Sequence, residues 1–317
     1  MTTSTVIIGL APMAGFTDWP MRVISCNHGA NYVCTEMVSA MGLMCAKESN
    51  STYQQLVAVH EGEHNTACQL FGRDPIVMGE AAQRITALNR FTSIDINMGC
   101  PARKIVSNGD GSALLKTPEL AYRIMESVKL NTTLPVTLKT RLGYDAEHMN
   151  AIELAKAAES LSFKWVCFHG RTREQQYSGV ADHHAIAELR TQLNIPVLAN
   201  GDVYSAEDAL RILAITGASG LLIGRGAMGN PWLFGQIKQA LAGEVASVVS
   251  SEERLNTAIT HLRFMIDYKG EQRGIIEMRK HLSHYIAGFR GATALRRQIN
   301  QADTSESLLA ILQEACS

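Results

Sequence analysis

Cys100 stands between Gly99 and Pro101 in "DINMGCPARK", the stretch from Asp95 to Lys104. A β-type run ends at Asn97 and the thiol follows at once. Gly99 permits an unusual backbone angle and Pro101 stiffens the turn, so the pair can fix where the sulfur points. An unperturbed cysteine has a pKa of about 8.5 and is a neutral thiol near pH 7, able to act as an acid without prior activation. A nucleophilic thiolate is the other chemical option, since Arg103 and Lys104 lie close enough in sequence to lower that pKa. A cysteine merely buried in a turn is the third.

Other residues capable of chemistry end other apolar runs. Pro12, Met13 and Ala14 follow the first run, Glu36 ends the second and Gln69 the third. Lys139 and Arg141 close the fifth, and His169 and Arg171 the sixth. Asn200, Gly201 and Asp202 close the seventh, and Gly224, Arg225 and Gly226 the eighth. Each is weak alone: a lone lysine is usually a rim residue, a lone histidine a hydrogen-bonded core residue, and Cys167 a small apolar one. Together they would line one mouth with donors and cations. The two glycine turns let backbone N–H groups approach phosphate oxygens, and Arg225 adds a charged clamp. A phosphate-anchored ligand reaching toward Lys139 and Gln69 suits flavin mononucleotide (FMN). There Lys139 would stabilise the negative charge of the reduced ring, and Gln69 would offer its edge both a donor and an acceptor.

Something must carry these residues to one place. Eight short β-type runs begin near residues 6, 32, 66, 93, 135, 164, 196 and 220. Helix-like segments separate most of them, at 75–89, 118–130, 148–162, 182–193 and 205–216. Asp74-Pro75, Thr117-Pro118 and Ser205 supply start signals. Strands alternating with helices predict right-handed βαβ units and a parallel sheet. Eight such units predict an α/β fold of the closed (β/α)8 barrel type, with the strand C-termini opening on the chemical face. An open doubly wound sheet is the competing reading.

From about residue 244 the pattern changes to helical spacing alone, with Leu255, Ile259, Leu262 and Ile266 on one face. The sequence thus predicts a barrel over 1–243 and a small all-helical domain over 244–317. Between 254 and 300 stand nine basic and three acidic residues, a net +6 inside a chain whose overall charge is −1. A solvated helix surface accounts for some of this. Its concentration in one domain points to an anionic partner. At 317 residues with 46% apolar content, the chain can bury a large core. Its seven cysteines, an odd number without a CxxC pair, argue against a disulfide framework or zinc site. The opening "MTTSTVIIGLAPMAG" has no charged n-region, and its apolar run is too short for a signal peptide or membrane span. A cytoplasmic protein without metal or membrane partner is expected. The oligomeric state is open, with a monomer expected.

The motifs "APMAGFTDWPMR", "QLFG", "DINMGCPARK", "GSALL", "PVTLKTRLG", "HGRTREQQYSG", "PVLANGDV" and "IGRGAMGNPWLF" resemble the tRNA-dihydrouridine synthases. They spread from residue 11 to 234, and "MRKHLSHYIAGFRGA" is similar to that family's helical tail, particularly in its bacterial B-type branch. The resemblance implies an FMN barrel that reduces the C5=C6 bond of uridines in the tRNA D-loop, with NADPH or NADH as electron donor. It implies FMN contacts from Pro12, Met13, Ala14, Gln69, Lys139, His169, Asn200, Gly201, Asp202, Gly224 and Arg225. Cys100 would donate a proton to C5 after hydride reaches C6, and Asn97 would help hold the base. Arg141, Arg171, Arg173, Arg279 and Lys280 are the expected RNA-facing cations. One departure is the loop "IVSNGDGSALL" after "CPARK", whose two glycines bear on loop geometry. A flavin barrel acting on a free pyrimidine, a Schiff-base aldolase using Lys139 and a cofactor-free RNA-binding protein are the rival readings.

Overall fold

The computed structural model describes residues 6–47 and 49–315. Cys316 and the first five residues of the opening stretch lie outside the described residues. Eight strands form: β1 (Ile7–Leu10), β2 (Tyr32–Ser39), β3 (Thr66–Phe71), β4 (Ser93–Met98), β5 (Val136–Arg141), β6 (Trp165–His169), β7 (Val197–Asn200) and β8 (Gly220–Ile223). They pair in parallel in chain order and close between β1 and β8. The barrel is therefore the fold, and the open-sheet alternative fails. Strands covered on both faces read as apolar runs rather than alternating ones, which is why all eight were visible in the sequence.

Around the barrel run α1 (Trp19–Asn27), α2 (Ala40–Cys45), α3 (Ser51–Leu56), α4 (Pro75–Ala87), α5 (Arg103–Val106), α6 (Pro118–Leu130), α7 (Ala151–Ser160), α8 (His183–Thr191), α9 (Ala206–Thr216) and α10 (Leu233–Leu241). Asp74 Oδ1 accepts the N–H groups of Ile76 and Val77 at 2.9 and 3.2 Å, and Ser205 Oγ accepts that of Asp208 at 3.1 Å. Thr117 differs from its expected role. Its side chain makes no capping bond, and the start of α6 rests on Pro118. The short helices α2, α3 and α5 escaped the sequence reading because fewer than two turns leave little periodicity.

Four further helices follow: α11 (Ser251–Lys269), α12 (Glu271–Tyr285), α13 (Ala292–Gln301) and α14 (Ser305–Glu314). They enclose their own apolar cluster, with Leu262, Met278, Leu282 and Ile299 fully covered. Trp232, from the segment between β8 and α10, inserts into that cluster. The helices also grip the start of the barrel. Lys269 pairs with Asp18 at 2.6 Å, both side chains nearly covered, and the Tyr268 hydroxyl donates to Gln55 O at 2.7 Å. Trp19 packs on Phe264 and Tyr268.

Candidate active site

Side chains alternate along a strand, so every second residue points into the barrel. The inward positions sort into two layers. Cys34, Ala67, Trp165, Cys167, Leu198 and Leu222 form a dry floor. Above it, toward the strand C-termini, the register sets Gln69 beside Asp95, Asn97 beside Lys139, Arg141 beside His169 and His169 beside Asn200. The same register sets Lys139 beside Cys167 and Asn200 beside Leu222, so the polar layer at the strand ends rests directly on that floor.

The β3–β5 side of that layer is a chain of amides. Asp95, 1% exposed, accepts from Gln69 Nε2 and from Thr137 Oγ1, both at 2.6 Å. Asn97 Nδ2 donates to Gln69 Oε1 at 2.8 Å. Asn97 Oδ1 then accepts the backbone N–H groups of Gly99 and Cys100 at 3.1 and 2.9 Å. From the other side, Ser112 donates to Cys100 O through its hydroxyl at 2.8 Å and its N–H at 3.2 Å. That approach explains the second glycine of the loop that departs from the family pattern. Gly111 has φ +61°, and a Cβ there would fall 3.1 Å from Cys100 O. Burial pushes the Cys100 thiol above its ordinary value, so it stays protonated near neutral pH. The helix after it, α5, is a single turn, and the net effect of Arg141 and Lys139 does not reverse the direction.

Cations occupy the β5–β8 side. Lys139 Nζ is half-buried and donates to Asn200 Oδ1 at 3.0 Å, while Asn200 Nδ2 is tied to Leu222 O at 2.6 Å. Burial pulls the Lys139 ammonium below its usual value. His169 is 7% exposed and is driven far below its usual value by burial, with Arg141 and Lys139 adding to the effect. It is a neutral imidazole, and its Nδ1 has no partner.

The turns after β7 and β8 meet here. Gly201 has φ +126°, and a Cβ on it would stand 2.8 Å from Ala181 Cβ, so only glycine fits. Met13 lies beside the second turn, its sulfur 3.5 Å from where a Cβ on Gly224 would be. Pro12 and Met13 are partly covered and Ala14 is exposed, all on the β1–α1 loop. Asp202 takes a two-pronged bond from Arg171 at 2.6 and 3.1 Å, one from Arg225 at 3.2 Å and the N–H of Ala181 at 2.8 Å. Burial works to raise its pKa, but these partners outweigh it and hold the carboxylate below the usual range.

The RNA-facing expectations divide. Arg171 is 1% exposed, with its other donors on Ser178 O and Gly179 O, and Arg141 is 3% exposed with donors on Gly99, Thr172 and Gln176 carbonyls. Neither presents a free guanidinium at the surface, because the long loop from Arg171 to Ala181 folds over both. Burial pulls Arg141 down to about 10, still a cation at neutral pH. Arg173 lies half-buried over the Tyr144 ring at 5.1 Å, and Arg279 donates to Ala302 O at 2.9 Å. Lys280 reaches from α12 to the β1–α1 loop, 5.2 Å from the Phe16 ring. Arg263, Arg290, Arg296 and Arg297 are exposed. Sequence reading missed Asp95, Thr137 and Tyr177. The period of two in "SIDIN" and "PVTLKTR" places the first two inward beside Asn97 and Lys139. Tyr177, which stacks under Arg225 at 4.6 Å, left no such signal.

A closed (β/α)8 barrel whose polar layer gathers a protonated thiol, a lysine and a neutral histidine at the strand C-termini is the architecture of a barrel enzyme. Comparison with known proteins narrows the class. The family model described as dihydrouridine synthase matches residues 9–317, and the chain belongs to that oxidoreductase family. A probable tRNA-dihydrouridine synthase of Rhodobacter capsulatus is 40% identical over 309 residues, covering 97% of this chain and 94% of that protein. The tRNA-dihydrouridine synthase B of Pseudomonas aeruginosa is 38% identical over 307 residues, covering 96% and 91%. Among solved structures, a histamine dehydrogenase from Rhizobium sp. 4-9 overlays with TM-score 0.56 at 13% identity, over 80% of this chain and 49% of that one. An old yellow enzyme homologue from Zymomonas mobilis overlays with TM-score 0.51 at 14% identity, over 78% and 92%. These two likenesses concern the fold. Among the described residues, no cluster of three or more His, Cys, Asp or Glu side chains is placed to hold a metal, and no helix is long and apolar enough to cross a membrane.

Proposed function

We propose that this dihydrouridine synthase uses FMN and NADPH or NADH to reduce uridines in the D-loop of tRNA, with Cys100 as the acid. The observation that carries the reading is the juxtaposition in one polar layer of an under-partnered ammonium and a protonated thiol. Lys139 has donors to spare after Asn200, and His169 Nδ1 is orphaned and buried, which suits a polar ring laid in the mouth. Gly201, Gly224 and Arg225 suit a phosphate, met through backbone N–H groups and one exposed guanidinium. Asp202 would otherwise repel that phosphate. Arg171 and Arg225 neutralise it, so Arg171 is here a support of the phosphate turn rather than an RNA contact.

When bound, FMN supplies the hydride that C6 of the uracil receives. The residues do the rest. Lys139 would hold the ring and Pro12, Met13 and Ala14 would border it, whereas Gln69 is fully buried with its NH2 on Asp95 and its Oε1 on Asn97, so its amide is already engaged at both ends. Asn97 orients the Cys100 turn and borders the place of the base. Cys100 keeps a proton until charge develops at C5, and its raised pKa favours this acid role over a nucleophilic thiolate. The uridine must be turned out of the folded RNA, at a cost of a few kcal/mol repaid by stacking and backbone contacts.

The helices after Ser250 would supply those contacts. Lys280 stands next to the barrel mouth. His284, in contact with the Phe16 ring, feels the charge of Arg296 on α13, so cations continue outward from the mouth. This division of labour, barrel to 243 and helices from 244, separates the proposal from a flavin enzyme of free pyrimidines, which needs no cationic helices. The experiment is direct. Purified protein is expected to absorb as a flavin and to release FMN on denaturation, and to bleach on adding NADPH or NADH. Protein that takes up no FMN even after reconstitution would overturn the reading.

A further inference from the structure

Asp95 is buried within the polar layer, and a chain of amides runs from it to the backbone N–H of Cys100. An amide has one donor end and one acceptor end, so its direction is set by its neighbours. The Asp95 carboxylate offers Gln69 only acceptors. Gln69 must therefore turn its NH2 toward Asp95, at 2.6 Å, and its Oε1 toward Asn97. Asn97 must in turn give its NH2 to that oxygen, at 2.8 Å, and keep Oδ1 for the N–H groups of Gly99 and Cys100. Reversing Gln69 would set two acceptors against each other at its inner end and two NH2 groups at its outer end. Thr137, donating to the second carboxylate oxygen at 2.6 Å, holds Asp95 itself in place.

We propose that Asp95 is a positioning residue: its carboxylate anchors the inner end of two amides in series, Gln69 and Asn97, whose outer end meets the Gly99 and Cys100 N–H groups, and so it holds the turn that aims Cys100. This deepens the proposed function and rests on it for the role of the thiol. The relay makes a prediction about anchoring rather than charge. Asn at position 95 can still show Gln69 an oxygen and give its own NH2 to the Thr137 hydroxyl, which accepts as well as donates. Ala can do neither.

The test compares Asp95→Ala with Asp95→Asn in the full flavin-loaded chain. Three readouts are taken: bound FMN, kcat and KM for tRNA reduction, and the rate at which iodoacetamide alkylates Cys100, followed by peptide mass spectrometry. Asp95→Ala is expected to lower kcat about tenfold or more with KM for tRNA little changed, the cost of a misaimed acid. It is also expected to shift the alkylation rate of Cys100 by about threefold or more, in either direction, as its surroundings change. Asp95→Asn should bring both back to within about twofold of the parent. Asp95→Ala indistinguishable from the parent in kcat and alkylation would overturn the relay, as would an Asn variant that folds, holds FMN and behaves like Ala. If Asp95→Ala does not fold, Gln69→Leu breaks the same relay in its middle. Read by alkylation alone, it should shift Cys100 likewise, and parental reactivity there would overturn the proposal. Failure of the parent protein to reduce tRNA would instead sink the proposed function, while the alkylation comparison still decides the relay.

Discussion

Arg171 and Arg296 carry the same guanidinium to opposite uses. Arg171 is buried beside β6, its fork spent on Asp202 and on two loop carbonyls, and its charge serves one turn of chain. Arg296 stands exposed on α13, free to act on anything anionic that approaches. The difference runs through the whole molecule. In the barrel layer, polar groups are fixed by one another before any ligand arrives, which is the condition for electrostatic and acid catalysis. On the helical unit the exposed cations Arg263, Arg290, Arg296 and Arg297 keep their hydration and work at longer range, with a salt-sensitive reach.

The comparison can be broken first at the thiol. Cys100→Ala is expected to keep bound FMN and its reduction by nicotinamide but to lose about 10²- to 10⁴-fold in uridine reduction, measured in single turnover. A normal rate would remove the acid from the account. Next comes Arg171→Ala, which leaves Asp202 with only Arg225 and the Ala181 N–H beside the Gly201 turn. It should cost about 1.5–3 kcal/mol in urea unfolding and weaken FMN binding, whereas an arginine serving RNA alone would leave both untouched.

A finer probe is pH. Burial, the largest influence on Asp95, raises its pKa to about 6, while the hydrogen bonds from Gln69 and Thr137 and the charge of Lys139 work against that rise. Between the unfolded value near 4 and the folded value the native state binds the extra proton, so stability falls as pH rises across that window. Asp95→Asn should flatten that slope, by at most about 3 kcal/mol in total, as read from denaturant midpoints at successive pH values. A slope unchanged by the substitution would contradict the assignment. The smallest effect belongs to the exposed surface. Replacing Arg296 and Arg297 together by Ala should reduce the slope of log affinity against log salt by about 1–2 and leave flavin binding and unfolding unaltered. An unchanged salt slope would take the RNA contact off α13.

The same contrast explains what the sequence made legible. Strands buried on both faces must be apolar throughout, so all eight announced themselves, and the polar residues at their ends stood out against that background. Lys139, His169 and Asn200 were found for this reason. Asp95 gives no such local signal, since its partners Gln69 and Thr137 are distant in sequence and only the barrel register joins them. Arg171 and Arg141 read as surface cations because nothing local encodes the loop that covers them. In the helices the net charge was visible, but its distribution was not. Lys269 and Arg273 are consumed by Asp18 and Glu277, while Arg263, Arg290, Arg296 and Arg297 stay exposed.

The most direct trial mixes the purified flavin-loaded protein with unmodified tRNA and NADPH or NADH, then digests the RNA for mass spectrometry. The account predicts a gain of two hydrogens on uridine within the D-loop. Flavin-loaded protein that leaves tRNA unchanged with either donor, yet reduces a free pyrimidine, would contradict it.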